Sequence, residues 1–159
     1  MKIEVIAVGK VKEAYLRDGI AEYEKRIGAY SDLKITSIQD EPFGDKDSPK
    51  RKEEIKSCEG EKILSKLRPS SFVIVCDLAG EELSSEGFSN YVAELALSGK
   101  SDLTFIIGGA LGLSDGVLKK ADFVLCFSKM TFPHQLMRMI LLEQIYRAFK
   151  IMRKEPYHY

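Results

Sequence analysis

The sequence predicts an α/β fold in which a mostly parallel sheet is flanked by helices. Short runs rich in β-branched and other apolar residues alternate along the chain with longer segments of helical periodicity. Strands that alternate with helices in this way form parallel sheets. In addition, segments 71–77 and 103–109 are almost continuously apolar, as strands buried on both faces are.

The first half of the chain contains two predicted strands and two predicted helices. Segment 3–8, IEVIAV, is rich in β-branched residues, and segment 33–38, LKITSI, alternates between apolar and polar residues. Between them, apolar residues at helical spacing predict a helix over 11–29. A stretch rich in Pro, Gly and Asp predicts a polar loop over 39–50, and a helix of mixed charge follows over 50–67.

The second half continues the alternation after the strand at 71–77. Ser84 and Ser85 are candidate N-caps of the next helix, and Gly99 stands near its end. The remaining predicted elements are that helix over 83–99, a strand over 103–109, a short helix over 114–121, a strand over 123–128 and a long helix from Pro133 to about Arg153. The chain has no internal repeat or convincing linker, so residues 1–159 are expected to form a single domain.

Composition excludes several classes of protein. The chain carries 24 Lys and Arg against 24 Asp and Glu, so bulk charge makes no case for a nucleic-acid partner, although a local patch could still bind one. No apolar run approaches the roughly 20 residues of a membrane span, and the amino end has no signal-peptide pattern. Cys58, Cys76 and Cys126 are far apart and not in metal-ligand spacing, which predicts reduced thiols in a cytoplasmic protein.

Three predicted strands end in unusual loops: CDLAGEELSSEG follows 71–77, GGALGL follows 103–107 and SKMTFPH follows 123–127. Because ligands of open parallel sheets bind beyond the carboxyl ends of the strands, these loops are expected to form one pocket. The glycines at 108, 109 and 112 lack the spacing of a dinucleotide fingerprint, and no phosphate loop is present. They therefore indicate either turns or a close approach of backbone to another ligand.

The segment SKMTFPHQ combines groups that a plain linker does not need. Pro133 fixes the start of the last helix, and Ser128 and Thr131 place hydroxyls near its amino end. His134 and Arg138 are four residues apart and share a helix face. The segment could be a capped helix start with solvated charges, but the clustering of these groups favours a binding site.

The last helix and its tail leave two questions open. Arg147, Lys150 and Lys154 form a basic stripe that could meet phosphates or could only complement the helix dipole. The final residues, Tyr157, His158 and Tyr159, could fray as chain ends do, or fold over a pocket and handle protons.

Taken together, these segments resemble the RlmH family of SPOUT-class RNA methyltransferases over essentially the whole chain. The matching segments are AVGK at 7–10, AEYEKRI at 21–27, LSSEG at 83–87, IIGG at 106–109, FSKMTFPHQ at 127–135, EQIYRAFKI at 143–151 and the YH near the carboxyl end. The resemblance implies a homodimer with a carboxyl-terminal trefoil knot that binds S-adenosylmethionine in a bent form and uses no metal. It also implies methylation of N3 of a pseudouridine, position 1915 in helix 69 of 23S ribosomal RNA, on the assembled ribosome.

The resemblance also assigns residues to roles. On the substrate side it implies Tyr157 and His158, closing over the pocket from one subunit, with His134, Arg138 and Arg147 as candidates to orient RNA or stabilise charge. Two positions depart from the family pattern, since Cys76 replaces a leucine and Tyr159 replaces a basic residue. The cofactor contacts that it implies are Cys76, Gly108, Gly109, Phe127, Ser128, Lys129, Met130, Thr131 and Phe132.

Other functions remain to be separated from this one. A SPOUT enzyme acting on transfer RNA is a close alternative, which the lack of an added RNA-binding domain and the YH tail argue against. A non-catalytic dimeric module that binds a small ligand or the ribosome is an alternative from another class. Such a module has no use for Tyr157 and His158, so removing residues 157–159 distinguishes it from an enzyme. A nicotinamide oxidoreductase would need the phosphate fingerprint that the chain lacks.

Overall fold

A computed structural model describes residues 1–157 as a five-stranded sheet with helices on both faces. The strand order is β2-β1-β4-β3-β5, and every pair is parallel. The α/β fold with a parallel sheet is therefore confirmed, whereas the trefoil knot stays a prediction. The strands are β1 Lys2–Val8, β2 Asp32–Ile38, β3 Phe72–Glu82, β4 Asp102–Ile107 and β5 Phe123–Cys126. The helices are α1 Ala14–Ile27, α2 Pro49–Leu64, α3 Ser85–Leu97, α4 Asp115–Lys120 and α5 His134–Met152.

Alternate side chains of the central strands enter two separate cores. On β1, Val5 and Ala7 pack with α1, α3 and α5, whereas Ile6 and Val8 face α2 and α4. This is the two-residue period of a strand with both faces covered. Because all strands run the same way, their carboxyl ends and the loops that follow them meet at one edge of the sheet. Within residues 1–157, no helix combines the length and the apolar character that crossing a membrane requires.

Strand β3 is longer than the sequence predicts. The apolar run ends at Asp77, but the strand continues to Glu82 because it pairs with β5 twice. Leu125 of β5 lies opposite Cys76 and, after a register shift, also opposite Glu81. Gly80 allows this second pairing, because a Cβ at this position would lie only 2.6 Å from the Val124 carbonyl oxygen and would clash with it. Residues 77–80 consequently bulge out of the sheet at its carboxyl edge.

The helix starts fall into two groups. Helices α2, α3 and α4 are each capped by a serine hydroxyl, from Ser48, Ser84 and Ser114, as the serines before the third helix predict. Helices α1 and α5 have no side-chain cap and no acidic residue in the first turn. Helix α1 also begins at Ala14, three residues later than expected, because the preceding loop is bonded to α5 rather than wound into the helix.

Candidate active site

A cleft of about 380 Å³ opens where the loops after β3, β4 and β5 meet. The three loops thus form one pocket, as their positions after parallel strands predict. Its walls are mostly apolar, and Leu78 and Met130 remain exposed at the rim. The cleft is lined by residues 76–78, 107–113, 125, 127, 128, 130–132, 134 and 137. Eight of the nine expected cofactor contacts are among them, and the exception is Lys129, which is exposed nearby.

The glycine-rich loop forms a tight turn in the cleft wall. Gly109 and Gly112 pair across the turn, with the Gly112 N–H donating to the Gly109 carbonyl at 3.0 Å. Gly112 has φ +84°, a conformation that favours glycine. A Cβ on Gly108 would lie 2.9 Å from Leu113 Cγ. The glycines therefore let the chain turn and pack closely, and they leave backbone rather than side chains facing the cleft.

The turn after β5 is stabilised by its own side chains. The Cys126 thiol donates to the Ser128 carbonyl at 3.2 Å, and the Met130 N–H donates to Ser128 Oγ at 3.0 Å. These bonds fix the turn that presents Phe127 and Phe132 to the cleft. In the neighbouring strand β3, burial raises the pKa of the Cys76 thiol to about 12. Cys76 is therefore a neutral, apolar wall residue at physiological pH, which is compatible with the leucine expected there.

His134 and Arg138 both meet Gly9, at the carboxyl end of β1. A Cβ on Gly9 would lie 3.2 Å from His134 Nε2, and the Gly9 carbonyl accepts a bond from Arg138 Nη2 at 2.9 Å. Arg138 Nη1 donates to Ser37 Oγ at 3.1 Å, at the end of β2. The predicted shared face is confirmed, but it is buried: Arg138 is 3% exposed, and its Nε has no partner among the described atoms. Arg138 thus joins α5 to the ends of β1 and β2, and direct contact with RNA stays a prediction.

The electrostatics of this corner keep His134 neutral. Burial lowers the pKa of His134, and the neighbouring Arg138 guanidinium lowers it further, against a smaller opposing effect of Asp40. Burial also lowers the pKa of Arg138. At physiological pH the cleft therefore presents a neutral imidazole, which can accept or donate a hydrogen bond.

A buried carboxylate, which the sequence did not single out, stands behind the glycine-rich loop. Glu59 of α2 is 5% exposed, and its Oε1 accepts from the Glu41 N–H at 2.9 Å. Its Oε2 lies 3.2 Å from the point where a Cβ of Gly109 would be. Burial raises the pKa of Glu59. Glu59 connects the 39–48 loop with the cleft wall, and the mixed-charge pattern of α2 gave no signal that this one carboxylate is buried.

The carboxyl-terminal tail packs on the other end of α5. The Tyr157 hydroxyl donates to Glu143 Oε1 at 3.1 Å and lies 3.5 Å from the Tyr23 hydroxyl. Arg147 donates to the same Glu143 oxygen from Nε and Nη2, at 3.0 and 2.6 Å, and its guanidinium carbon is 4.8 Å from the centre of the Tyr157 ring. Tyr146 meets that ring edge-on at 4.8 Å. Tyr157 and Arg147 are thus brought together, whereas His158 lies outside the described residues.

Glu143 organises this tail cluster, although the sequence interpretation passed over it. The signal was present, since Glu143 stands four residues before Arg147 and such pairs attract each other on a helix. Burial, followed by the bonds to Tyr23 and Glu143, raises the pKa of Tyr157 well above its usual range. The phenol consequently stays protonated and acts as a donor at neutral pH.

The predicted basic stripe is largely neutralised within the chain. Arg147 pairs with Glu143, and Lys150 Nζ lies 2.6 Å from Glu155 Oε2. Glu155 also accepts from the Tyr30 hydroxyl at 2.6 Å, which holds the start of the tail against the turn between α1 and β2. The stripe therefore stabilises the tail in this structure, and a role in meeting phosphates stays a prediction.

The cleft and the tail cluster are separated along α5. Arg147 follows His134 by thirteen positions, which is roughly 20 Å at the rise of an α-helix. Between them lies a second cavity of about 250 Å³, which shares Leu125, Phe127 and Phe132 with the cleft. It reaches Gln144, whose amide donates to Glu143 at 2.6 Å. In one chain, then, the tail cluster stands beside the cleft but not over it.

Comparison with known proteins places this architecture in a family. A family model described as "Predicted SPOUT methyltransferase" matches residues 1–158. A protein of Carboxydothermus hydrogenoformans named ribosomal RNA large subunit methyltransferase H is 58% identical over 158 residues, which is 99% of each chain. Proteins of the same name from Clostridium perfringens and Clostridium kluyveri are 54% and 52% identical over the same share of each chain. With a match over nearly its full length, the chain belongs to the SPOUT methyltransferase family.

Proposed function

We propose that this protein transfers a methyl group from S-adenosylmethionine to N3 of a pseudouridine in large-subunit ribosomal RNA, position 1915 in helix 69 of the assembled ribosome, and that it acts in the cytoplasm. The observation that carries the proposal is the cleft at the carboxyl ends of β3, β4 and β5. It is built from eight of the nine positions expected to contact the cofactor, in a chain 58% identical to a protein named as a ribosomal RNA methyltransferase.

The residues of the cleft fit S-adenosylmethionine. The cleft has a volume of about 380 Å³, which is in the range of cofactor sites. The apolar faces of Phe127 and Phe132 suit the adenine ring, and the backbone of 108–112 allows close approach. Asp77 places a carboxylate at the wall, which suits a sulfonium cation. When bound, the cofactor supplies an electrophilic methyl group on sulfur. Among residues 1–157, no cluster of three or more His, Cys, Asp or Glu side chains could hold a metal ion.

The groups of the tail cluster suit the substrate side of the reaction. Methylation of an imide nitrogen requires loss of its proton, which a positioned base can take. It also benefits from donors that stabilise the anionic ring. The Arg147 guanidinium is such a donor, since it has five N–H groups and is oriented by Glu143. The protonated Tyr157 donates its single hydroxyl proton to Glu143 and so helps to hold this carboxylate in place. His158, the next residue, is proposed to act beside them.

The separation of cleft and tail supports a homodimer as the active form. With roughly 20 Å of helix between His134 and Arg147, a chain does not close its own cleft in the described conformation. A partner's tail could do so while its own cleft receives the first chain's tail, as two-fold symmetry requires. Each active site would then combine the cleft of one chain with the tail of the other.

Methyl transfer from labelled S-adenosylmethionine tests the proposal. The substrates are ribosomes that lack the modification, free ribosomal RNA and transfer RNA, and the modified nucleotide is mapped by mass spectrometry. Label on one large-subunit pseudouridine, with assembled ribosomes only, is expected. Label on transfer RNA would move the function to that substrate. Cofactor binding without any transfer would indicate a non-catalytic binding module.

A further inference from the structure

We propose that a cationic ridge formed by Lys10 and Lys12, with the exposed ring of Tyr15 at the start of the next helix, binds the ribosomal RNA strand that flanks the target nucleotide. The inference rests on the proposed function. It assigns the RNA contact to the loop between β1 and α1, and away from the basic stripe near the carboxyl end.

The ridge carries two cations without an ion-pair partner among the described residues. Within residues 1–157, the amino groups of Lys10 and Lys12 have no carboxylate at ion-pair distance. Both are exposed. The stripe near the carboxyl end differs, since Arg147 and Lys150 are already paired with carboxylates. An RNA phosphate can therefore be met by the ridge without breaking an existing pair.

The loop that carries the ridge is fixed to the cleft. The Lys12 N–H donates to Gln135 Oε1 at 2.9 Å, and Arg17 Nη1 donates to the Lys12 carbonyl at 2.6 Å. At its start, the Gly9 N–H donates to the Ile38 carbonyl at 2.8 Å, and the Gly9 carbonyl accepts from Arg138. Because Gln135 follows His134 of the cleft wall, a strand bound at the ridge passes the mouth of the cleft. Fixing the loop in advance lowers the entropic cost of binding.

Two helix starts reinforce the positive potential of the ridge. Lys10 and Lys12 precede α1, and the bond from the Lys12 N–H to Gln135 places their loop at the start of α5 as well. These are the two helices that lack both a side-chain cap and an acidic residue in the first turn. Uncapped amino ends attract anions. The buried guanidinium of Arg138, with its unpartnered Nε, adds a positive charge beneath the loop. Segment 9–18 also contains two acidic residues, Glu13 and Asp18. Its net charge is nevertheless +1, because it has three basic residues, Lys10, Lys12 and Arg17.

Tyr15 supplies a surface for a base. Its side chain is 68% exposed at the start of α1, three residues after Lys12. Exposed aromatic rings beside lysines are the arrangement with which proteins hold single-stranded RNA, because bases stack on the ring while cations meet the backbone. The ligand class that fits the ridge is therefore an RNA loop with at least one unstacked base.

The test compares two double variants of equal charge change. Lys10→Gln/Lys12→Gln alters the ridge, and Lys119→Gln/Lys120→Gln alters two exposed lysines in the last turn of α4, on the other face of the sheet. For both, kcat and KM for unmodified ribosomes are measured over a salt series, with the Kd for S-adenosylmethionine and equilibrium binding to ribosomes. The ridge variant is expected to raise KM roughly tenfold. It should also reduce the slope of log Kd against log salt concentration by about one to two, the value for one or two lost phosphate contacts. Its kcat and cofactor Kd should stay unchanged.

Tyr15→Ala and Tyr15→Phe test the stacking surface. The alanine variant is expected to lower kcat/KM roughly tenfold, and the phenylalanine variant to retain it, since stacking needs the ring and not the hydroxyl. A change of oligomeric state in Tyr15→Ala without a change in ribosome binding would show a protein interface and overturn this assignment.

Equal effects of the two lysine variants would contradict the assignment of RNA binding to the ridge. So would a ridge variant whose KM and salt dependence are unchanged. A wild-type protein that binds cofactor but transfers no methyl group would overturn the proposed function. In that case the ribosome-binding titration would still show whether the ridge binds RNA.

Discussion

Replacing Gly9 by alanine is expected to damage both stability and the cleft. Gly9 has φ +88°, and a Cβ there would lie 3.2 Å from Nε2 of His134. The same glycine offers its carbonyl to the buried guanidinium of Arg138. An alanine therefore meets two obstacles, a strained backbone and a crowded imidazole.

The size of the effect can be divided between these obstacles. A non-glycine residue in the left-handed region costs about 1–2 kcal/mol, and crowding at a packed contact adds about 1 kcal/mol. Gly9→Ala should thus lower the free energy of unfolding by about 2–3 kcal/mol. For a chain of this length, that corresponds to a fall in Tm of about 2–4 °C for each kcal/mol.

Gly99→Ala is the matched control. Gly99 has φ +82° after α3, and a Cβ there would meet nothing within 4 Å. Its replacement should cost only the backbone strain of about 1–2 kcal/mol. Thermal unfolding and calorimetric binding of S-adenosylmethionine are measured for both variants. Only Gly9→Ala is expected to weaken cofactor binding, because only there does the cleft wall move. If the two variants lost equal stability and both bound cofactor normally, the proposed packing of His134 on Gly9 would be wrong.

Three further predictions concern titration and the tail. Burial raises the pKa of Glu59, so the contribution of this group to the free energy of unfolding is present at low pH. It is lost as the pH rises through the folded pKa, starting from about pH 4. In urea unfolding, Glu59→Gln should flatten this decline, and an unchanged slope of the unfolding free energy against pH would contradict the prediction. Burial lowers the pKa of His134, so the free energy of unfolding should decrease as the pH falls below about 6.5. His134→Gln should remove this decrease. A variant that still loses stability in this range would count against the buried neutral imidazole. Removing residues 157–159 should leave the circular dichroism spectrum and the oligomeric state unchanged while abolishing methyl transfer; full activity would eliminate the role given to the tail.

Local patterns predicted the order of the elements well, because each strand and helix carries its own signal. The doubled pairing of β3 with β5 escaped prediction, since the apolar run ends before Asp77, and Glu81 and Glu82 pair only because Gly80 lets the chain return to β5. The late start of α1 has a similar cause, because Lys12 is bonded to Gln135 far along the chain. Such contacts between distant segments leave no local periodicity.

The candidate site was predicted in part for the same reason. Loops that follow parallel strands must meet, so the cleft could be predicted from the strand ends. The burial of single charged groups could not be predicted. Glu59 lies among the other charged residues of α2, and the burial of Arg138 depends on bonds to Ser37 and Gly9, which are far away along the chain. The pairing of Glu143 with Arg147 was within reach of the sequence, since the four-residue spacing predicts it. Its meaning became clear only when Tyr157 was found on the same carboxylate.

Complementation between two inactive chains shows whether the cleft of one chain and the tail of another form one active site. One chain lacks residues 157–159. The other carries Gly108→Val, whose side chain would crowd Leu113 in the cleft wall and is first shown to abolish cofactor binding. Methyl transfer to unmodified ribosomes is measured for each chain alone and after subunit exchange. We expect each chain alone to be inactive and the mixture to regain activity, because one intact cleft meets one intact tail. If the mixture stayed as inactive as its components although mixed dimers had formed, the cleft and the tail would not combine across the dimer.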